Sequence, residues 1–125
     1  MHTRIADIEI NYERIGTGKP VLLLHGWGAN IDAMRPIADH LAAIGREAII
    51  PDLPGFGGSG TPETPWKVAD YADLTRLFMG FCDIKGCDVI CHSFGGRIAI
   101  MLASEDAKLF SRLILVDAAG IRPKR

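Results

Sequence analysis

Four short runs of uninterrupted apolar residues constrain this chain more than anything else in it: Val21-Leu22-Leu23-Leu24, Ala48-Ile49-Ile50, Val89-Ile90-Cys91 and Leu113-Ile114-Leu115-Val116. A strand with one wet face alternates apolar and polar residues. A strand without alternation is buried on both faces, as in a parallel sheet. Helical patterns lie between the runs. Met34, Ile37, Ala38, Leu41 and Ala42 follow i, i+3, i+4, i+7, i+8, with Pro36 tolerated in the first turn and Gly45 as a stop. Tyr71, Leu74, Phe78 and Phe81 make a second stripe, and Ile98, Met101 and Leu102 a third, behind a glycine pair. The pattern predicts a doubly wound, mostly parallel α/β sheet with helices on both faces, in a single domain over residues 1–125. Ahead of it, Arg4 to Arg14 sets Ala6, Ile8, Ile10 and Tyr12 against Asp7, Glu9, Asn11 and Glu13. That alternation predicts one half-exposed strand, closed by a turn over Gly16 to Pro20.

Composition excludes several classes. Leu, Ile, Val and Phe supply 35 of 125 residues, enough for a core and too many for intrinsic disorder. Fourteen basic and fifteen acidic residues leave a net charge of -1, without the basic footprint of a nucleic-acid binder or a polybasic membrane-surface protein. The longest apolar run, Ile98 to Ala103, is too short to span a bilayer or to form a signal-peptide core. The expectation is a soluble, cytoplasmic protein acting on a small molecule, with neither nucleic acid nor membrane as partner. Three cysteines fit a reduced compartment and are read as small apolar fillers. Cys87 and Cys91 fall on one strand face about 13 Å apart, too far to bridge.

In parallel α/β sheets, ligands bind beyond the carboxyl ends of the strands. Three loops qualify: His25-Gly26-Trp27-Gly28, the glycine-rich stretch Asp52 to Gly60, and Cys91-His92-Ser93-Phe94-Gly95-Gly96. The third is the most informative. A serine between a buried strand and a helix, with Gly95 two residues later, suits a sharp turn that lifts its hydroxyl clear of the backbone. Ser93 is thereby a candidate nucleophile, and the Phe94 amide at the helix start faces a developing oxyanion. The alternative is that Ser93 caps the helix through its side chain. Gly26 permits a bend that frees the Trp27 amide as a second oxyanion donor. His25 is expected to turn toward backbone near that bend. Trp27, Phe56, Trp66 and Phe94 hint at an apolar pocket.

Taken in order and spacing, His25-Gly26-Trp27-Gly28, Asp52-Leu53-Pro54-Gly55-Phe56-Gly57-Gly58-Ser59 and His92-Ser93-Phe94-Gly95-Gly96 resemble the amino-terminal half of the α/β-hydrolase superfamily, in its lid-bearing serine-hydrolase form. The resemblance implies Ser93 as nucleophile, the Trp27 and Phe94 amides as oxyanion hole, and the loop from Asp52 as a wall of the site. It implies an acyl-enzyme route for an ester, thioester, amide or carbon-carbon bond, without cofactor or metal. A serine at the turn speaks against the dehalogenases and epoxide hydrolases of the family, whose nucleophile is a carboxylate.

Two departures stand out. The glycine usual two residues before the nucleophile is Cys91 here, and no histidine follows Ser93 to serve as base. His92, next to the nucleophile, is expected to point to the opposite face; His40 is expected to be exposed, and His2 to lie in a frayed terminus. Asp117, ending the last apolar run, is a candidate acid. The expectation is a chain truncated before the lid and last strands, inactive or weak by itself, that self-associates or takes up a complementing half through the edge strand Leu113 to Val116. The alternative function is a non-catalytic binding or assembly module derived from the same fold. One further motif, Gly55-x-Gly57-x-x-Gly60, matches a dinucleotide fingerprint, but Thr61-Pro62-Glu63-Thr64-Pro65 follows where a helix is required.

Overall fold

The structure is a computed structural model of the chain and describes residues 1–116. Strands β1 (His2–Ile5) and β2 (Ile8–Ile15) form a hairpin. They are followed by β3 (Lys19–Leu24), α1 (Ile31–Ala43), β4 (Arg46–Pro51), α2 (Val68–Cys82), β5 (Cys87–His92), α3 (Phe94–Glu105) and β6 (Phe110–Val116). The six strands make one sheet in the order β1-β2-β4-β3-β5-β6. β3, β4, β5 and β6 run parallel, and β2 joins β4 antiparallel.

Three of the four apolar runs are buried as their lack of alternation predicts, with only Ile90 partly exposed, and successive residues serve opposite faces. Val21, Leu23, Ala48 and Ile50 pack on one side with Ile31, Met34, Ala38 and Leu41 of α1. Leu22, Leu24, Ile49, Val89 and Cys91 face the other side, under Tyr71, Leu74 and Phe78 of α2 and Ile98 and Leu102 of α3. Each fully buried aliphatic or aromatic side chain contributes about 1.5–3 kcal/mol through lost water contact. β6 differs: it is the last strand of the sheet among the described residues, and its Ile114 and Leu115 are exposed. No described helix is long and apolar enough to cross a membrane.

Three expectations are corrected. Arg4 to Arg14 is not one strand but a two-residue hairpin, with Ala6 and Asp7 both at positive φ (50° and 64°), as a type I′ turn requires. Phe81 does not continue the α2 stripe into the core. Met79 and Cys82 are buried instead, and Phe81 lays its ring edge-on against Tyr12, centroids 5.9 Å apart. His2 does not lie in a frayed end, because β1 pairs it with Asn11 and the terminal ammonium donates to the Tyr12 carbonyl at 2.9 Å. The three cysteines are free and buried, with burial pushing each thiol up to about 11.

Candidate active site

The chain winds from β3 outward to β4, crosses back through α2 to β5, and so reverses direction at β3. Such a reversal opens a crevice at the carboxyl ends of the strands on either side. Leu24 and Cys91 are ladder partners across β3 and β5, so the segments continuing from each leave the sheet side by side.

Ser93 occupies the one-residue junction between β5 and α3 at φ 53°, ψ −112°. A non-glycine residue at positive φ is held there against its own preference by the structure around it. Its side chain makes no capping hydrogen bond to α3. The capping alternative therefore does not describe this serine. The two glycines that follow explain how helix and sheet come so close. A Cβ on Gly95 would stand 2.5 Å from the Leu24 carbonyl oxygen, and one on Gly96 would stand 2.9 Å from Leu115 Cδ2. Cys91 fits without crowding the turn, since its sulfur points to β6 and lies 3.5 Å from the Ile114 carbonyl oxygen.

His25-Gly26 lies opposite. A Cβ on Gly26 would stand 3.3 Å from Ser93 Cβ and 2.8 Å from His92 Nδ1. His92, expected on the face opposite Ser93, rests its ring against Gly26. It makes no hydrogen bond to Ser93 among the described residues. His25 is fully buried and bonded at both ring nitrogens: the Leu53 amide donates to Nε2 at 2.9 Å, and Nδ1 lies 2.7 Å from the Gly26 carbonyl oxygen. Because Nε2 accepts, Nδ1 carries the proton and donates. Burial pushes the His25 imidazole below its ordinary value of 6.5. The Gly26 carbonyl accepts a second bond from the Ala29 amide at 3.1 Å, closing a turn with Gly28 at φ 76°. Neither the Trp27 nor the Phe94 amide has a hydrogen-bond acceptor among the described residues.

The third loop is tied down by a carboxylate. Asp52, nearly fully buried, accepts from the Ile31 amide at 2.8 Å through Oδ1, and from the Gly58 amide at 2.8 Å and Asn11 Nδ2 at 2.9 Å through Oδ2. Ser59 adds two more ties, donating to the Asp52 carbonyl at 2.6 Å and accepting from the Asn11 amide at 2.9 Å. Gly57, at φ 53°, passes so close to the Asp52 carboxylate that a Cβ there would collide with it. The loop's amides are spent inside the protein: Gly55 donates to Gly60, Gly58 to Asp52 and Gly60 to Glu9.

Trp27, Phe56, Trp66 and Phe94 do come together, and Tyr71 joins them. Trp27 meets Phe56 at 4.8 Å and Phe94 at 5.0 Å, and Tyr71 meets Phe94 and Trp66 at 5.1 Å each, all edge to face. Tyr71 reads from sequence as a core position of α2, and nothing in its spacing reveals this second role. Beside Ser93 lies a cavity of about 380 Å³ lined by Gly96, Arg97, Ile100, Leu115 and Val116. His40 is exposed. Asp117, the candidate acid, lies outside the described residues.

A family model described as alpha/beta hydrolase fold matches residues 19–124. The chain is 44% identical over 108 residues to Lipase 3 of a Moraxella species, covering 83% of this chain and 33% of that protein. It is 32% identical over 120 residues to the 2-hydroxymuconate semialdehyde hydrolase of a Pseudomonas species, covering 93% of this chain and 42% of that one. The solved structure of an esterase from Exiguobacterium antarcticum superposes with a TM-score of 0.86 at 28% identity, covering 99% of this chain and 47% of the esterase. The chain spans less than half the length of each of these proteins.

Proposed function

The chain belongs to the alpha/beta hydrolase fold family, and from that premise we propose that it carries the nucleophile and oxyanion-stabilising half of a serine hydrolase. Ser93 Oγ attacks the carbonyl carbon of an ester, thioester, amide or activated carbon-carbon substrate. The carbonyl oxygen takes on negative charge between the Phe94 and Trp27 amides. Collapse of that intermediate expels the leaving group, leaves an acyl group on Ser93, and water then releases it. Each amide donor is worth about 10²- to 10³-fold in rate when aimed at the developing charge.

The observation that carries this reading is the state of the Ser93 side chain. It stands on a strained turn, makes no capping bond, and faces Gly26 across the crevice. The names of the lipase, esterase and semialdehyde hydrolase relatives support a small-molecule substrate. The proton of Ser93 requires a base; the family resemblance implies a histidine C-terminal to the nucleophile, and residues 94–125 contain none. The exposed apolar side chains of β6 support association with a second copy or a complementing segment through that edge.

Incubation with p-nitrophenyl acetate followed by peptide mapping tests the reading. An acetyl group on Ser93, absent from the Ser93→Ala protein, is the expected result. Acetylation spread over lysines and other serines with Ser93 unmodified would overturn it.

A further inference from the structure

We infer that His25 is a positioning residue that sets the direction of the Trp27 amide, by holding the carbonyl of the same peptide unit. The inference rests on the oxyanion role proposed for that amide and adds the device that aims it. In a planar trans peptide the C=O and the following N–H point in opposite directions. No cis peptide occurs among the described residues, so fixing the Gly26 carbonyl fixes the Trp27 N–H as its mirror.

The carbonyl is fixed twice. His25 Nδ1 donates to it at 2.7 Å and the Ala29 amide at 3.1 Å, which occupies both lone pairs. The His25 donor has no solvent exposure and the Ala29 donor is half-buried, so the oxygen is held on the protein side of the loop. The N–H is thereby turned the other way. Without the imidazole the carbonyl keeps only the Ala29 bond, and the peptide turns more easily about the bonds flanking Gly26, a residue with no side chain to resist the rotation.

The tautomer matters as much as the position. An imidazole with its proton on Nε2 would present a lone pair to the Gly26 carbonyl and repel it. The Leu53 amide, donating to Nε2 at 2.9 Å, makes that tautomer unfavourable and keeps the proton on Nδ1. The loop after β4 therefore reaches the oxyanion donor through one ring: Leu53 sets the tautomer, the tautomer sets the Gly26 carbonyl, and the carbonyl sets the Trp27 N–H. The ring is also braced edge-on by Phe56, centroids 5.7 Å apart.

Two substitutions separate the links. His25→Asn can place an amide NH₂ where Nδ1 stands but cannot reach Leu53. His25→Gln can place a carbonyl oxygen where Nε2 stands but leaves the Gly26 carbonyl without its side-chain donor. The first readout is independent of chemistry: the Trp27 amide resonance in ¹H-¹⁵N spectra of the whole chain. It should move and broaden in His25→Gln and stay close to wild type in His25→Asn, with the Ser93 amide resonance unchanged in both. The second readout is fluorophosphonate labelling, split into the rate at saturation and the probe concentration giving half of it. His25→Gln should lose about 10²-fold in the rate at saturation, with the half-saturating concentration unchanged and His25→Asn restoring most of the rate. If the two variants behave alike in the spectra, His25 is a packing residue and the inference is wrong. If the spectra separate the variants as expected but wild-type Ser93 is not labelled, the aiming device stands and the nucleophile reading falls.

Discussion

Gly26 and Ser93 meet face to face across the β3–β5 crevice: a Cβ placed on the glycine would stand 3.3 Å from the Cβ of the serine and 2.8 Å from His92 Nδ1. The contact joins the loop bearing one candidate oxyanion donor to the turn bearing the other. It leaves no room for a methyl group unless His92 or the loop shifts. Gly26→Ala should therefore lower the rate of Ser93 modification by about 10²-fold, the cost of a misplaced donor. Circular dichroism should be unchanged. Full reactivity in that variant would show that the spacing is not needed.

Gly95 and Gly80 make an opposed pair. Both lie in helices, but a Cβ on Gly95 would press to 2.5 Å from the Leu24 carbonyl oxygen, whereas one on Gly80 would meet nothing within 4 Å. Gly95→Ala forces α3 off β3 and should destabilise the fold by about 1–3 kcal/mol in urea titrations. Gly80→Ala removes a flexible residue from α2 at no steric cost and should stabilise by roughly 0.5–1 kcal/mol. Effects of the same sign in both proteins would contradict the packing described.

Acid should act on two groups in separate windows. Burial holds the His25 imidazole below 6.5, so as pH falls through that value the unfolded chain binds a proton that the folded one refuses, and stability drops. His25→Asn should flatten this segment of the stability curve. Asp88 titrates lower. Burial alone would raise its carboxyl, but hydrogen bonds from Arg46 and Arg112, each 3.1 Å away, outweigh it and hold the group below its ordinary 3.8. Its contribution is present above that value and lost as pH falls further, so Asp88→Asn should flatten the curve there. A curve identical to wild type in either variant would refute that assignment.

The edge of β6 should make the chain self-associate. Ile114 and Leu115 are 46% and 56% exposed on a strand that pairs on one side with β5 and on the other with nothing among the described residues. An apolar, unpaired edge invites a further strand. Sedimentation at micromolar concentration should show species heavier than a monomer, and Leu115→Lys should shift them toward one. A stable monomer in the wild-type chain would count against this.

The parallel sheet was legible because burial on both faces leaves its mark in every residue of a strand, as in Val21 to Leu24. The serine turn was legible because Ser93, Gly95 and Gly96 are neighbours in sequence and the close approach they permit is local. The hairpin at Ala6-Asp7 was not, because neither residue is a glycine or asparagine; the one sign of it is Ile5, apolar and out of phase with Ile8, Ile10 and Tyr12. The Asp52 hub was not either: its partners Asn11 and Ile31 lie 41 and 21 residues away, and a single sequence carries no sign of such pairings. Phe81 and Met79 exchanged places for a simpler reason. A helix turns 100° per residue, and the buried face of α2 also takes in Ala72 and Thr75, which rotates its centre toward Met79 and Cys82 and away from Phe81.

Fluorophosphonate labelling of the purified chain, followed by peptide mapping, tests the central claim most directly, because the probe reports a serine that is both raised and supported by oxyanion donors. The chain has four serines, at positions 59, 93, 104 and 111. Ser59 is bonded on both sides, while Ser104 and Ser111 donate to the Met101 and Gly86 carbonyls. Preferential modification at Ser93, abolished by Ser93→Ala, is the predicted result. Equal labelling of the four, or labelling that spares Ser93, would contradict the account.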